Sequence, residues 1–177
     1  MLGSFAAKNG KGPDVMLPKK AQAVLGFLLM EKGRGATRDD LAALLWSNTG
    51  SEQARQSLRQ CIAVLRKALP GGCLMGQAEQ LVLSSTPELA SDLDEWQQLQ
   101  QSGSLTDLVA ADALHRGEFL AGLSLPHEPF EDWVVNERRR FTDARQDLLA
   151  RIAALQAQAG DLAGGGAQEL PAGDAEG

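Results

Sequence analysis

The fold is decided by residues 37–72, TRDDLAALLWSNTGSEQARQSLRQCIAVLRKALPGG. Thr37 has Asp40 three positions later, which is the spacing of a capping box with Asp in place of Glu, so a helix is predicted to begin there. That helix ends at the polar turn 47–50. A longer helix follows from Ser51 to Leu69 and is stopped by Pro70 and two glycines. Two helices joined by a short turn predict a helix-turn-helix.

The longer helix has two distinct faces. Its apolar stripe is formed by Ala54, Leu58, Ile62, Leu65 and Leu69. At 100° per residue, the side chains that point most nearly away from Leu58 are Gln53, Gln56, Arg59, Gln60, Ala63 and Lys67. No acid stands between 53 and 67. Gln pairs with adenine, Arg pairs with guanine, and a Lys at the helix end meets phosphate, so this face predicts reading of the major groove. An ordinary solvated helix face is the alternative.

Further candidate contacts surround this helix. Thr37 and Arg38 begin a helix whose free N–H groups can hold a phosphate, although a plain cap is the commoner use of such a Thr. Arg55 and Arg66 flank the apolar stripe, where they can contact phosphate or pair with Asp39 or Asp40, and pairing is favoured for Arg66. The predicted DNA-binding residues are Thr37, Arg38, Gln53, Arg55, Gln56, Arg59, Gln60, Lys67 and Gln77.

Short apolar runs on either side of the helix-turn-helix predict small β elements. Residues 73–75 and 81–83 flank a five-residue loop and are expected to form a wing, whose Gln77 and Gln80 can reach an adjacent groove. Near the start, residues 2–7 and 15–17 are expected to form a hairpin around a turn-rich segment. A first helix is expected from Pro18 to about Gly33.

The second half is predicted to be helical. Periodic leucines over 91–117 predict two helices, and after a loop a long helix is expected from Pro129 to about Gly160, with Phe130 and Trp133 as core anchors. Residues 161–177 are rich in Gly and poor in apolar side chains, which predicts disorder. No 34-residue period is visible, so at most one helical hairpin of a repeat array is expected.

Charge divides the 177-residue chain unevenly. The totals are 17 Lys and Arg against 23 Asp and Glu, a net charge of −6. Residues 1–90 hold 11 basic against 7 acidic side chains, whereas residues 91–177 hold 6 against 16. A mildly basic module joined to an acidic one fits a DNA-binding unit coupled to a partner-binding segment.

Other classes of function find little support in the residues. His115 and His127 are isolated, the glycines form no phosphate-binding loop, and Cys61 and Cys73 belong to no zinc-like cluster, so neither an enzyme nor a cofactor or metal site is expected. The two thiols fit a reducing compartment. No apolar run reaches the ~18 residues that a bilayer span needs, and we expect a cytoplasmic protein.

The same residues resemble a known family. The chain is similar to the Streptomyces antibiotic regulatory proteins (SARPs) over about residues 1–160, through the runs 17–23, 37–46, 54–60 and 65–69 for the DNA-binding domain, and 115–122 and 129–138 for the opening of the bacterial transcriptional activation domain. The resemblance implies an OmpR-like winged helix with a sheet ahead of its first helix, followed by a tetratricopeptide-like (TPR-like) helical domain. The family's activation domain continues through further helix pairs, whereas the predicted helices here stop near Gly160.

The expected fold is therefore mostly α with small β elements. A winged helix-turn-helix is predicted over 1–90, a partial TPR-like domain over 91–160, and a disordered tail over 161–177. The expected function is a DNA-binding transcriptional regulator of activator type, with no membrane contact. RNA polymerase or another protein at the acidic half, and a homodimer, are the further partners. The alternative is a protein-interaction module that has the same fold and does not bind DNA.

Overall fold

In the computed structural model, the described residues are 1–8, 14–77, 79–84, 86 and 88–165. Helices dominate, with small strands between them, which confirms the predicted fold class. The elements in chain order are β1 (Gly3–Ser4), α1 (Lys19–Met30), β2 (Ala36–Thr37), α2 (Arg38–Leu45), α3 (Ser51–Ala68), β3 (Leu74–Gln77), β4 (Gln80–Leu83), α4 (Asp92–Ser102), α5 (Leu105–Ala113), β5 (Phe119–Ala121) and α6 (Glu128–Gly165).

The helix-turn-helix forms as predicted. The backbone N–H of Asp40 donates to the hydroxyl of Thr37 at 3.0 Å, which caps α2. Helix α3 begins at Ser51 and ends one residue before the predicted Leu69. Helix α1 ends at Met30, three residues before the predicted Gly33. The local signals therefore fix where the helices begin and come within a few residues of where they end.

The wing is part of a three-stranded sheet in the order β2-β4-β3. Strands β3 and β4 pair antiparallel, with Leu74 opposite Leu83, which confirms the predicted hairpin. Strand β2, not predicted, pairs antiparallel with β4. Its approach requires Gly35, where φ is +77° and a Cβ would lie 2.7 Å from Cγ2 of Val82. The wing is thereby attached directly to the start of α2.

The amino-terminal segment pairs differently from the prediction. Residues 2–7 and 15–17 were expected to pair with each other, but β1 runs parallel to β5, with Gly3 opposite Phe119. The backbone N–H of Val15 does donate to the oxygen of Ala7 at 2.8 Å, and Lys8 forms an isolated antiparallel bridge with Asp14. Among the described residues the predicted hairpin is limited to these contacts, because β5 satisfies the backbone groups of β1, and a partner so distant leaves no local signal.

Two clusters of buried side chains hold the chain together. The main core is built from α1, α2, α3 and the wing, and it also contains Phe119, Phe130 and Val134 from the second half. The second core is formed by Leu2, Trp96, Leu108, Ala111, Leu148 and Ile152. Phe130 is fully buried with its ring centroid 5.7 Å from that of Trp133, as their prediction as anchors requires. The boundary at residue 90 stays a prediction, since the main core draws on both sides of it.

Helix α6 links the two cores. It packs against α2 and β5 near its start and against α5 further along. The predicted end near Gly160 falls five residues short of the observed Gly165. Residues 166–177, most of the predicted tail, lie outside the described residues. Within the described part of the chain, no helix combines the length and the apolar character needed to cross a bilayer.

Candidate nucleic-acid interface

The predicted reading face of α3 is open to solvent. Ala54, Leu58, Ile62 and Leu65 are buried against the rest of the main core, as the sequence pattern requires. The exposed side chains of the opposite face are Gln53, Gln56, Arg59, Gln60 and Lys67. Helix α3 has 18 residues, which corresponds to a rod about 27 Å long. The structure therefore brings these five predicted residues together on one accessible surface.

Two arginines of α3 make exposed ion pairs. Arg59 lies 3.7 Å from Glu52, and both side chains are more than half exposed. Arg55 donates from Nε and Nη2 to the two carboxylate oxygens of Asp39, at 3.2 and 3.4 Å. Pairs this exposed contribute on the order of 0–1 kcal/mol, so a phosphate or a base edge can compete for either guanidinium.

Arg66 does not form the ion pair that was favoured for it. The carboxylate of Asp39 is held by Arg55, and no described Asp or Glu lies within 4.0 Å of Arg66. Arg66 and Arg55 share a face of α3 but are separated by three turns, or about 16 Å along the axis. That distance places Arg66 beside the wing, away from the carboxylate of Asp39 that Arg55 holds. A Cβ on Gly76 would lie 3.3 Å from its Nη2.

The start of α2 has little free backbone. The hydroxyl of Thr37 accepts from Asp40, and the N–H of Arg38 donates to the backbone oxygen of Glu79 in the wing at 2.9 Å. Two of the N–H groups that were expected to be free for a phosphate are thus already used. The side chain of Arg38 remains half-buried beside Gly76, with Nη2 3.1 Å from the position of a Cβ there.

The start of α2, one side of α3 and the wing enclose an open groove of about 810 Å³. Its charged lining consists of four arginines and two acids, which are Arg38, Arg55, Arg59, Arg66, Asp39 and Glu79. Gln53, Gln56, Gln60 and Lys67 lie outside this groove. The surface as a whole thus combines a polar helix face with a net-positive groove, which is suited to a polyanion.

Of the two wing glutamines, Gln80 is the one whose side chain the structure describes. Gln80 is exposed and its backbone pairs with Thr37 and Gln77. The side chain of Gln77, a predicted contact, lies outside what the structure describes. Sequence reasoning missed Gly76, and no spacing marks it, because its importance depends on two arginines that arrive from other elements.

Helix α3 also carries a free thiol. Cys61 is half-buried, and burial raises its pKa while nearby Lys20 opposes that shift. Burial lowers the pKa of Lys20, whose ammonium lies 4.5 Å from the ring centroid of Trp46. A raised pKa lowers the thiolate fraction of Cys61 and with it the reactivity of the thiol.

Comparison with known proteins identifies a homologue and a related fold. No family model matches the sequence. Regulatory protein AfsR of Streptomyces coelicolor is 33% identical over 139 residues, which cover 72% of this chain and 14% of AfsR. The structure of Mycobacterium tuberculosis EmbR in complex with a low-affinity phosphopeptide superposes with a TM-score of 0.68 at 21% identity, and the match covers 91% of this chain and 48% of EmbR. The chain therefore spans less than half the length of either protein, and the EmbR match describes its fold.

Proposed function

The chain belongs, through its homology to AfsR, to the SARP family of transcriptional regulators, and from that premise we propose that it binds double-stranded DNA by inserting α3 into the major groove. The family consists of transcriptional regulators and not of enzymes. Gln53, Gln56, Arg59 and Gln60 contact base edges in this proposal, while Lys67 contacts a phosphate.

One observation carries this proposal. The exposed face of α3 presents amides and cations, with no acid from 53 to 67, in a chain whose net charge is −6. A face kept free of acids in an acidic protein favours contact with a polyanion over simple solvation. Thr37, Arg38, Arg55 and Gln77 complete the proposed contact set.

The two halves of the chain have different roles in this proposal. Residues 1–90 carry the DNA contacts, and residues 91–160, within the strongly acidic half, bind a protein partner and activate transcription. RNA polymerase or another protein, and a second copy of the chain, are the partners that the family resemblance implies. Recovery of polymerase on the immobilised full chain, and its loss at high salt, would support this part of the proposal.

Selection of genomic fragments tests DNA binding and the assigned face together. The wild type is compared with an Arg59→Ala/Gln60→Ala variant and with a control, Arg139→Ala/Gln146→Ala, which removes the same side-chain types from an exposed part of α6. We expect the first variant to lose ~1–3 kcal/mol of binding free energy for the selected fragments. The control should bind like the wild type.

Salt provides a second readout. Affinity should fall linearly on a log–log plot as salt is added, because each phosphate contact releases counterions. Failure of the wild type to retain any fragment at low salt would refute DNA binding. Co-purification of a fixed protein partner would then favour the interaction module as the function.

A further inference from the structure

Arg38 and Arg66 come from different helices and meet at the base of the wing. A Cβ on Gly76 would lie 3.1 Å from Nη2 of Arg38 and 3.3 Å from Nη2 of Arg66. Both guanidinium groups therefore lie against the same point of β3. Arg38 is the first residue of α2, and Arg66 lies in the last turn of α3. The fold thus brings two positive charges from distant parts of the sequence to one place.

These two arginines differ from the other arginines of the groove. Arg55 pairs with Asp39 and Arg59 lies beside Glu52. No such carboxylate lies within 4.0 Å of Arg38 or Arg66 among the described residues. Like charges side by side disfavour each other, and an anion placed between them relieves that repulsion. The pair is therefore poised for a negatively charged ligand.

We propose that Arg38 and Arg66 clamp one phosphate of the DNA backbone at the base of the wing. This inference rests on the proposed DNA binding and adds a phosphate site outside the reading face of α3. A guanidinium presents two parallel N–H donors that match phosphate oxygens. The backbone N–H of Arg38 already donates to Glu79, so the side chains hold the phosphate.

Gly76 is the positioning residue of this clamp. It is exposed on β3, and both guanidinium groups lie closer to it than a methyl group there would tolerate without a small shift. Gly76→Ala should therefore push both groups aside by a few tenths of an ångström without changing the charge of the protein. Because alanine suits a strand at least as well as glycine does, the substitution should not weaken the fold.

The clamp is tested by fluorescence anisotropy on a genomic duplex that the wild type selects and on a shuffled duplex of the same length. The variants are Arg38→Ala, Arg66→Ala, their double, and Gly76→Ala, with Arg139→Ala as the control that removes one exposed positive charge elsewhere. Each single arginine variant should bind about 10-fold more weakly, as expected for loss of a charged hydrogen bond. Gly76→Ala should show a smaller loss. Each loss should be equal on both duplexes, because phosphate contacts carry no sequence information.

A shared phosphate makes the two arginines interdependent. The double variant should bind about as weakly as either single variant. In all three variants the slope of log K against log salt should decrease in magnitude by ~0.9, the value for one phosphate. Losses that multiply, or a slope change of ~1.8 in the double variant, would mean two separate phosphates and would overturn the clamp.

Other outcomes separate the clamp from DNA binding itself. Unchanged affinity and slope in Arg66→Ala, in a protein whose reading-face variant still fails, would refute the clamp and leave the proposed function standing. A wild type that binds no duplex would refute both. If the alanine variants unfold at a lower temperature than the wild type, Arg66→Lys is used in their place. Lysine keeps the positive charge but lacks the two parallel N–H donors of a guanidinium. We expect that variant to retain the salt slope and bind several-fold more weakly, and an unchanged affinity would overturn the clamp.

Discussion

The two cores of this protein differ in size and in the charge of the surface above them. The main core is large and lies under the exposed amides and cations of α3. The second core is small and lies under α4, α5 and the later part of α6, and α4 begins with three acids, Asp92, Asp94 and Glu95. Yet the main core includes Phe119, Phe130 and Val134, which belong to the acidic half of the sequence. The balance of charge changes near residue 90, but the buried contacts of the main core join residues from both sides of that position.

One aromatic side chain connects the two cores. The ring of Phe141 stacks on Phe119 of the main core with a centroid distance of 5.0 Å. It also meets Trp96 of the second core edge to face at 5.7 Å. Aromatic pairs of this kind add about 0.5–1.5 kcal/mol beyond burial. The two cores should therefore unfold together in the wild type.

The largest effect is expected at Phe130, which is fully buried in the main core although it lies in the acidic half. Phe130→Ala should lower the free energy of unfolding by ~3–5 kcal/mol, since it leaves a large cavity. Urea denaturation followed by tryptophan fluorescence measures the loss. Val135→Ala on the same helix, where the side chain is 50% exposed, is the control and should change stability by less than ~0.5 kcal/mol. Equal losses at the two positions would show that residues 128–135 do not support the main core.

A smaller effect is expected from Phe141→Ala, because this ring is only half-buried. We expect a loss of about 2–3 kcal/mol and a loss of cooperativity, since the variant removes an aromatic contact that both cores share. Trp96 is the tryptophan of the second core, so the difference in fluorescence between the parent and a Trp96→Phe background reports on that core. Two separated transitions are expected in Phe141→Ala. A single transition with an unchanged denaturant slope would contradict the coupling.

The smallest effect concerns pH and the second core. Burial lowers the pKa of His115, nearby Arg145 lowers it further, and Asp112 and Asp92 oppose the shift. The folded state thus favours the neutral imidazole. As pH falls through about 6.5, the unfolded chain takes up the proton first, so stability present above that pH is progressively lost below it. Free energies of unfolding measured at several pH values should show this decline.

The other histidine of the chain, His127, is buried and directly precedes α6. Burial also lowers the pKa of His127, and Lys20 adds to that shift. His115→Gln and His127→Gln should each flatten part of the decline in stability between neutral and acidic pH. A pH profile that neither variant alters would show that both imidazoles titrate alike in the folded and unfolded chains.

The features that the sequence predicted well are local ones. The cap of Thr37 on Asp40, the buried stripe of α3 and the β3–β4 hairpin all depend on residues within a few positions of one another. Side-chain periodicity and turn chemistry determine such features directly. They also placed the exposed face of α3, so most of the candidate interface could be predicted before the structure was known.

What the sequence did not predict depends on contacts between distant residues. The pairing of Gly3 with Phe119 and the convergence of Arg38 and Arg66 on Gly76 are set by how the elements pack. For Arg66 the periodicity gave the correct side of α3 but not which neighbour lies at that height along the helix. A helical pattern indicates the direction in which each side chain points around the helix axis. Which neighbour the side chain meets at each turn depends on how the other elements pack.

The parallel pairing of β1 with β5 bears on the order in which the chain matures on the ribosome. The first strand has no partner until Phe119 has been made, and five further side chains of the main core follow it, the last being Val134. At ~5–20 residues per second, the stretch from Leu83 to Val134 takes about 3–10 s to synthesise. During that interval the main core is incomplete, so residues 1–90 cannot reach their finished fold before about half of the acidic half has been translated.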